Sequence, residues 1–184
     1  MPEGLDSRLA YTLVVGMVGI ERLVELAISS RNRRRLLARG AVEVGAEHYP
    51  WMVLLHASFL PACVLEVWVL GRPFVPGLAA VMAALVVASM VLRYWVVVTL
   101  DGRWTTRVLC LPGEPVVTSG PYRWLRHPNY LAVVVEIVAL PLVHTAWLTA
   151  VVFSVANVAV LRRRIVVEER ALEDHSTCAI PGPR

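Results

Sequence analysis

Five apolar segments, with arginines gathered in the stretches between and after them, constrain this chain more than anything else in it. They run over about 9–29, 51–70, 75–100, 130–143 and 146–161. A bilayer core takes roughly 20 mostly apolar residues per helix. Within it every backbone polar group must be paired, which single segments achieve only as helices. Mean hydropathy is +0.62, and 17% of residues are charged, against about 25% in an average soluble domain. The expected fold is an all-α integral membrane protein of about five transmembrane helices. Segments four and five are short and separated by His144-Thr145, so they read as a tight C-terminal helical hairpin. A four-span variant makes that hairpin re-entrant and leaves the tail on the same side.

Arginine counts orient the stack. Five arginines lie in 31–39, four in 101–129 and four more at 162, 163, 164 and 170, whereas the opposite side has Arg8 and Arg72. The excess of positive charge on cytoplasmic loops then places the N-terminus outside and the C-terminus in the cytoplasm. The same distribution explains the net charge of +4 without nucleic acid, because the arginines sit at segment ends. Residues 1–8 carry two acids and no cleavage pattern follows the first apolar run, so that segment reads as a permanent anchor. Cys63, Cys110 and Cys178 show no CxxC and no metal-ligand spacing, and no metal is expected.

The chain reads as one domain. Three N-terminal spans (9–100) precede a cytoplasmic loop (101–129). A hairpin and a cofactor helix (130–172) follow, then a tail (173–184) expected to be disordered. The loop holds two short β-tending pieces, 105–109 and 114–118, among the turn residues Pro112, Gly113, Pro115, Gly120 and Pro121. Trp51, Trp68, Trp104, Trp124 and Trp147 fit membrane-interface belts.

Two polar clusters stand out. Residues 120–130 pack Tyr122, Arg123, Arg126, His127, Asn129 and Tyr130 directly before an apolar run. Pro128 suits the first position of a helix, where its missing N–H costs nothing, with His127 near the N-cap. Such a helix start offers free N–H groups and a positive dipole end to a carboxylate or phosphate, which makes this stretch a candidate cofactor-binding corner. Arg126 and His127 could equally snorkel to lipid headgroups. The second cluster, 162–172, places Arg164 and Glu168 four apart on one helix face. Alone, it reads as an interfacial helix with an ion pair; both clusters, however, fall on one side of the membrane, at the two ends of the same hairpin. Glu21, Arg22, Glu25, His56, Glu66, Arg93 and Glu136 lie within spans and face the bundle interior or a cavity by default. For each a structural ion pair is the first expectation. Glu21, Arg22 and Glu25 could pair internally, Arg93 could snorkel, and Asn157 could be interhelical glue.

Gly120-Pro121-Tyr122, Arg126-His127-Pro128-Asn129-Tyr130, a hairpin, then Arg164 and Glu168-Glu169 with Leu172 resemble the isoprenylcysteine carboxyl methyltransferase family. The likeness is to its short bacterial branch, where Arg103-Trp104-Thr105-Thr106-Arg107-Val108 with a following Pro-Gly is also typical. It covers about 93–172. The resemblance implies a small multi-span S-adenosylmethionine-dependent enzyme, placed here in a bacterial inner membrane. Carried over position by position, cofactor contacts would fall on Glu114, Pro115, Val116, Val117, Tyr122, Arg126, His127, Pro128, Asn129, Tyr130 and Glu168. Arg164 would take the family's substrate-contacting, catalytic place. Glu114 departs from the pattern, since the eukaryotic enzymes carry histidine there. The tail from His175 also departs from the family's basic, aromatic end.

The function implied is O-methylation, at a carboxylate or a phenol/enol, of a lipophilic acceptor at the cytoplasmic face, with an alkylated polyketide phenol or pyrone as one example. The partners would be that small molecule and membrane lipid, with no nucleic acid. The motif is shared in looser form with phospholipid N-methyltransferases and membrane sterol reductases. An NADPH-dependent membrane reductase of similar architecture is therefore one alternative, and a non-catalytic membrane subunit is another.

Overall fold

The structure is a computed structural model and describes residues 2–112, 114, 115 and 117–174. Val116 and the tail 175–184 lie outside the described residues. Five α-helices follow one another: α1 (Pro2–Ala38), α2 (Tyr49–Val69), α3 (Pro76–Leu100), α4 (Pro128–Leu142) and α5 (Trp147–Asp174). Short 3-10 turns precede α2, extend α3 and hold Gly120–Arg123. The all-α expectation needs one correction. Strands β1 (Val42–Val44) and β2 (Val108–Cys110) pair antiparallel, with Val42 opposite Cys110 and Val44 opposite Val108. β-Branched valines favour the pleat. Glu43, at the centre of β1, is fixed by Arg33 at 2.6 Å and by Arg107. Of the two β-tending pieces in the loop, the first overlaps β2, and the described residues of the second are not in a strand.

Among the described residues, two helices are long and apolar enough to cross a membrane: α2, and α3 with its 3-10 extension, Pro76–Arg103. The remaining three differ for visible reasons. Glu21, Arg22 and Glu25 interrupt α1, Arg162–Arg164 interrupt α5, and α4 has 15 residues, short of the roughly 20 a bilayer needs.

Amphipathicity runs inside out. Leu13, Met17, Ile20 and Leu23 on α1, and Val151 and Val155 on α5, are exposed, while Glu25, Glu66, Arg93, Glu136 and Asn157 are buried. The apolar core joins Tyr11, Val15 and Val18 to Phe59, Cys63, Val67, Val86, Ile137 and Leu140, so it draws on α1 through α4. Beside it lies an ionic cluster. Arg22 pairs with Glu25, with Glu21 at 2.8 Å and with Glu136 at 3.1 Å. Arg93 reaches Glu136 at 2.8 Å and Glu25 at 3.7 Å. Arg93 does not snorkel: it is 6% exposed, because a carboxylate on α4 offers a buried partner. The α1 set does pair internally, and its Arg22 also crosses to α4.

Two glycines permit close approaches that set the site. Gly120 (φ +58°) lies so near Thr99 of α3 that a Cβ would collide with its side chain, which seats the 120–123 turn on α3. Gly45 (φ +68°) does the same against Val167 of α5, seating the ribbon on that helix.

Candidate functional site

The helix start anticipated at Pro128 is where α4 begins, with His127 at the N-cap and no side chain capping it. Pro128 has no N–H, and the Tyr130 and Leu131 N–H groups donate to the His127 carbonyl at 3.1 and 3.2 Å, so the Asn129 N–H is what this end leaves for a ligand. The 120–123 turn buries Tyr122, which packs with Val96, Trp104 and Val117. From the other side α5 brings Arg164 and Glu168. Arg164 Nε donates to the Tyr130 hydroxyl at 2.8 Å and lies 3.4 Å from Glu168 Oε1, and the Tyr130 hydroxyl donates to that same carboxylate. His127 stacks on the Tyr130 ring at 5.1 Å, with Nδ1 3.8 Å from Glu168 Oε2. The two clusters of the sequence thus meet.

The electrostatics follow from burial. Burial disfavours the charge of Arg164, yet the Tyr130 hydroxyl and the Glu168 carboxylate outweigh it and hold the guanidinium protonated above its ordinary range. Burial, with Glu168 second, pushes the Tyr122 phenol up, so it stays a donor. Burial pulls His127 below its usual value, against the attraction of Glu168. Near neutral pH the site therefore holds a fixed cation, a neutral imidazole and a phenol.

Three recesses adjoin this group, the smallest, of about 30 Å³, lying where Arg164 and Met52 face β1. A polar cleft of about 100 Å³ is lined by Tyr122, Arg126, His127, Pro128, Asn129, Tyr130, Arg164 and Glu168, together with Arg103 and Trp104. An apolar cavity of about 330 Å³ runs between α1, α2, α4 and α5. The cleft and the cavity share Trp104, Asn129, Tyr130 and Arg164. At the cleft, His127 Nε2 and Asn129 Oδ1 are buried without a hydrogen-bond partner. Unpaired buried polar atoms cost about 1–3 kcal/mol each, which is what a site awaiting a polar ligand looks like.

Not every anticipated residue lines the cleft. Glu114 is paired with Arg39 and with Arg103 at 3.2 Å. Pro115 accepts from Arg103 through its carbonyl at 3.0 Å, and Val117 packs behind Tyr122. These three reach the cleft only through Arg103 and Tyr122. Sequence reasoning missed Trp104 and Met52. Trp104 is 3% exposed, wedged between the recesses rather than in an interface belt. Met52 Sδ lies 2.7 Å from Arg164 Nη1. A tryptophan inside an Arg-Trp-Thr-Thr-Arg run was a legible signal; a methionine in an apolar helix was not.

Fold and site together define a mostly helical membrane protein whose loop-side polar corner abuts an apolar cavity. Residues 81–174 match the isoprenylcysteine carboxyl methyltransferase (ICMT) family. The chain is 32% identical over 166 residues to "Uncharacterized protein YpbQ" of Bacillus subtilis (strain 168), covering 90% of this chain and 98% of that protein. It is 28% identical over 152 residues to an "Uncharacterized protein" of Haemophilus influenzae, covering 82% and 88%. No solved structure matches it significantly. The chain belongs to the isoprenylcysteine carboxyl methyltransferase family, a family of membrane methyltransferases, and its bacterial relatives accord with a bacterial branch.

Proposed function

We propose that this protein is an S-adenosylmethionine-dependent methyltransferase that methylates an oxygen, carboxylate or phenol/enol, of a lipophilic acceptor at the cytoplasmic face. In this reading all five helices are embedded, with the N-terminus outside. The observation that carries the proposal is the shared wall: a polar cleft and an apolar cavity, both lined by Tyr130 and Arg164. A transferase joining a polar donor to a lipid-soluble acceptor needs such a wall, because each substrate must be solvated by a different medium until the reacting atoms meet.

The residues present fit the cofactor. The uncapped start of α4 and His127 suit its carboxylate, the orphaned Asn129 Oδ1 accepts from a donor, and Oε2 of Glu168, 3.8 Å from His127 Nδ1, suits its amino or ribose groups. The cleft alone is smaller than the roughly 300–1,000 Å³ of small-molecule pockets, so the cofactor would also occupy its open mouth. When bound, it supplies an electrophilic methyl on a sulfonium, which an oxygen anion takes by in-line displacement. Arg164 holds that anion: its guanidinium is charged, buried and anchored by Tyr130 and Glu168, so it needs no reorganisation as the reaction proceeds. Trp104 shields the junction from water. Positioning and a fixed field carry such a transfer when the acceptor enters as an anion, since no strong base is then required.

The test is cofactor protection of the detergent-solubilised full chain. S-adenosylhomocysteine is expected to raise the unfolding midpoint and NADPH to leave it unchanged. The opposite pattern overturns the reading in favour of a membrane reductase. Mass spectrometry of membrane lipids with and without the protein then seeks a gain of one methyl.

A further inference from the structure

The apolar cavity is not uniformly apolar. About midway along it the helix pair α2/α5 presents two polar side chains, His56 and Asn157. The antiparallel register of these helices is fixed by three contacts. Met52 meets Arg164 at 2.7 Å, Phe59 meets Phe153 with ring centroids 5.3 Å apart, and Thr149 Oγ1 donates to the Ala62 carbonyl at 3.3 Å. Between the first two, that register brings His56 level with Asn157.

Neither residue is satisfied by the protein. Asn157 is 3% exposed, yet its amide has no hydrogen-bond partner among the described residues, and it borders the cavity. His56 Nδ1 lies 2.8 Å from the Met52 carbonyl, so Nδ1 carries the proton and Nε2 of the neutral ring is left a bare acceptor. A pair offering one imidazole lone pair and one amide, which can donate or accept, matches a hydroxyl: its proton goes to Nε2 and its oxygen accepts from the amide. A carbonyl or ether, having no proton to give, satisfies only half of the pair.

Asn157 lies seven residues before Arg164, about 10 Å along a helix axis. His56 is one turn from Met52, about 6 Å. We infer that His56 and Asn157 form a specificity subsite for the methyl acceptor, binding a hydroxyl about 6–10 Å from the oxygen held at Arg164. This rests on the proposed methyltransferase reading and deepens it. The acceptor is then a bifunctional lipophilic molecule, polar at the reacting end and hydroxylated at mid-depth, rather than a plain acyl or prenyl chain.

Two near-isosteric probes test it: 4-(3-hydroxypropyl)phenol and 4-butylphenol, titrated against the purified full chain in detergent with tryptophan quenching as readout. Because their partition into micelles differs, the informative quantity is the ratio of their dissociation constants compared between proteins. The preference for the hydroxylated probe is expected to fall about tenfold in Asn157→Ala and likewise in His56→Phe, the loss of one or two buried hydrogen bonds. Asn157→Ser, which keeps a donor and an acceptor, is expected to restore part of it. An unchanged ratio in Asn157→Ala or in His56→Phe overturns the subsite, as does failure of both probes to bind the wild-type chain. S-adenosylhomocysteine protection is recorded on the same samples. Absence of that protection in the wild-type chain with the probe preference intact sinks the methyltransferase reading and leaves His56 and Asn157 as a hydroxyl site for some other ligand; the converse sinks the subsite alone.

Discussion

The two ends of the α4–α5 hairpin use the same chemistry to opposite effect. At the tip, the Glu66 carboxylate of α2 is buried against the start of α5 and accepts from Leu148 N at 3.1 Å, Thr149 N at 2.6 Å and Arg72 Nε at 2.8 Å. Carboxylate, helix dipole and arginine complete one another, and nothing is left over. At the open end Glu168 of α5 also lies near a helix start, that of α4, with Arg164 beside it. Yet Oε2 has only His127 Nδ1, at 3.8 Å, and α4 begins without a side-chain cap. His127 Nε2 and Asn129 Oδ1 remain unpaired. A carboxylate that satisfies a helix end locks it. One held just short of doing so leaves the end free for a ligand, and the stability forgone there is what a bound cofactor can restore.

Arg164→Ala is the substitution expected to have the largest effect. Methyl transfer should fall about 100- to 1,000-fold, the scale of losing one fixed donor to a developing charge. S-adenosylhomocysteine affinity should fall less than about tenfold, because the helix start and His127 remain. Single-turnover rates and calorimetric titration separate the two. Equal losses of both would move Arg164 from the acceptor to the cofactor and erase the division between cleft and cavity. Glu66→Ala comes next and should do the reverse. It strands two α5 N–H groups and weakens the hold on Arg72, so stability is expected to drop by about 2–3 kcal/mol, read as a lowered unfolding midpoint. The folded fraction should bind S-adenosylhomocysteine normally. A loss of affinity there would mean that the locked end and the open end are coupled along α5.

How much of this could be read from residues alone depended on range. The apolar segments 51–70 and 75–100 became α2 and α3 within about two residues at each end, because hydropathy is a local property. The polar arm of α1 was missed. The helix continues through Ala38 because Asn32 donates to the Trp104 carbonyl at 2.9 Å and Ser29 binds Thr106 at 2.9 Å, and those partners lie about seventy residues away. The ribbon escaped notice for the same reason: residues 42–44 show no strand until 108–110 lie beside them. Arg93 forms the ion pair that was the first expectation for it rather than snorkelling, but its partner, Glu136, belongs to another helix and could not be named from sequence. The candidate site was the more legible part. Pro128, His127 and the Arg164/Glu168 spacing each carry a local signal, and the structure joins them. The cavity polarity was half visible, as His56 and Asn157 inside apolar runs, but that both border one cavity is a matter of register between α2 and α5.

His127 supplies the smallest and sharpest probe of the open end. In the free protein burial holds its pKa below the ordinary value, against the pull of Glu168 and Glu169 and with the push of Arg126. In the absence of ligand, the unfolded chain thus binds more protons than the folded one just below pH 6.5, and His127 contributes a loss of stability as pH falls through that window. A ligand carboxylate seated at the α4 start adds an opposite charge beside the ring and raises its pKa. The complex then holds the extra proton, and affinity must rise as pH falls from about 7.5 towards 6, by less than about tenfold across that range. S-adenosylhomocysteine titrations over the same interval should show the rise in wild type and its absence in His127→Gln, which keeps a donor but cannot titrate. Affinity that is flat or falling with acid in the wild-type chain would mean that the carboxylate sits elsewhere and that the open end of α4 is not its seat.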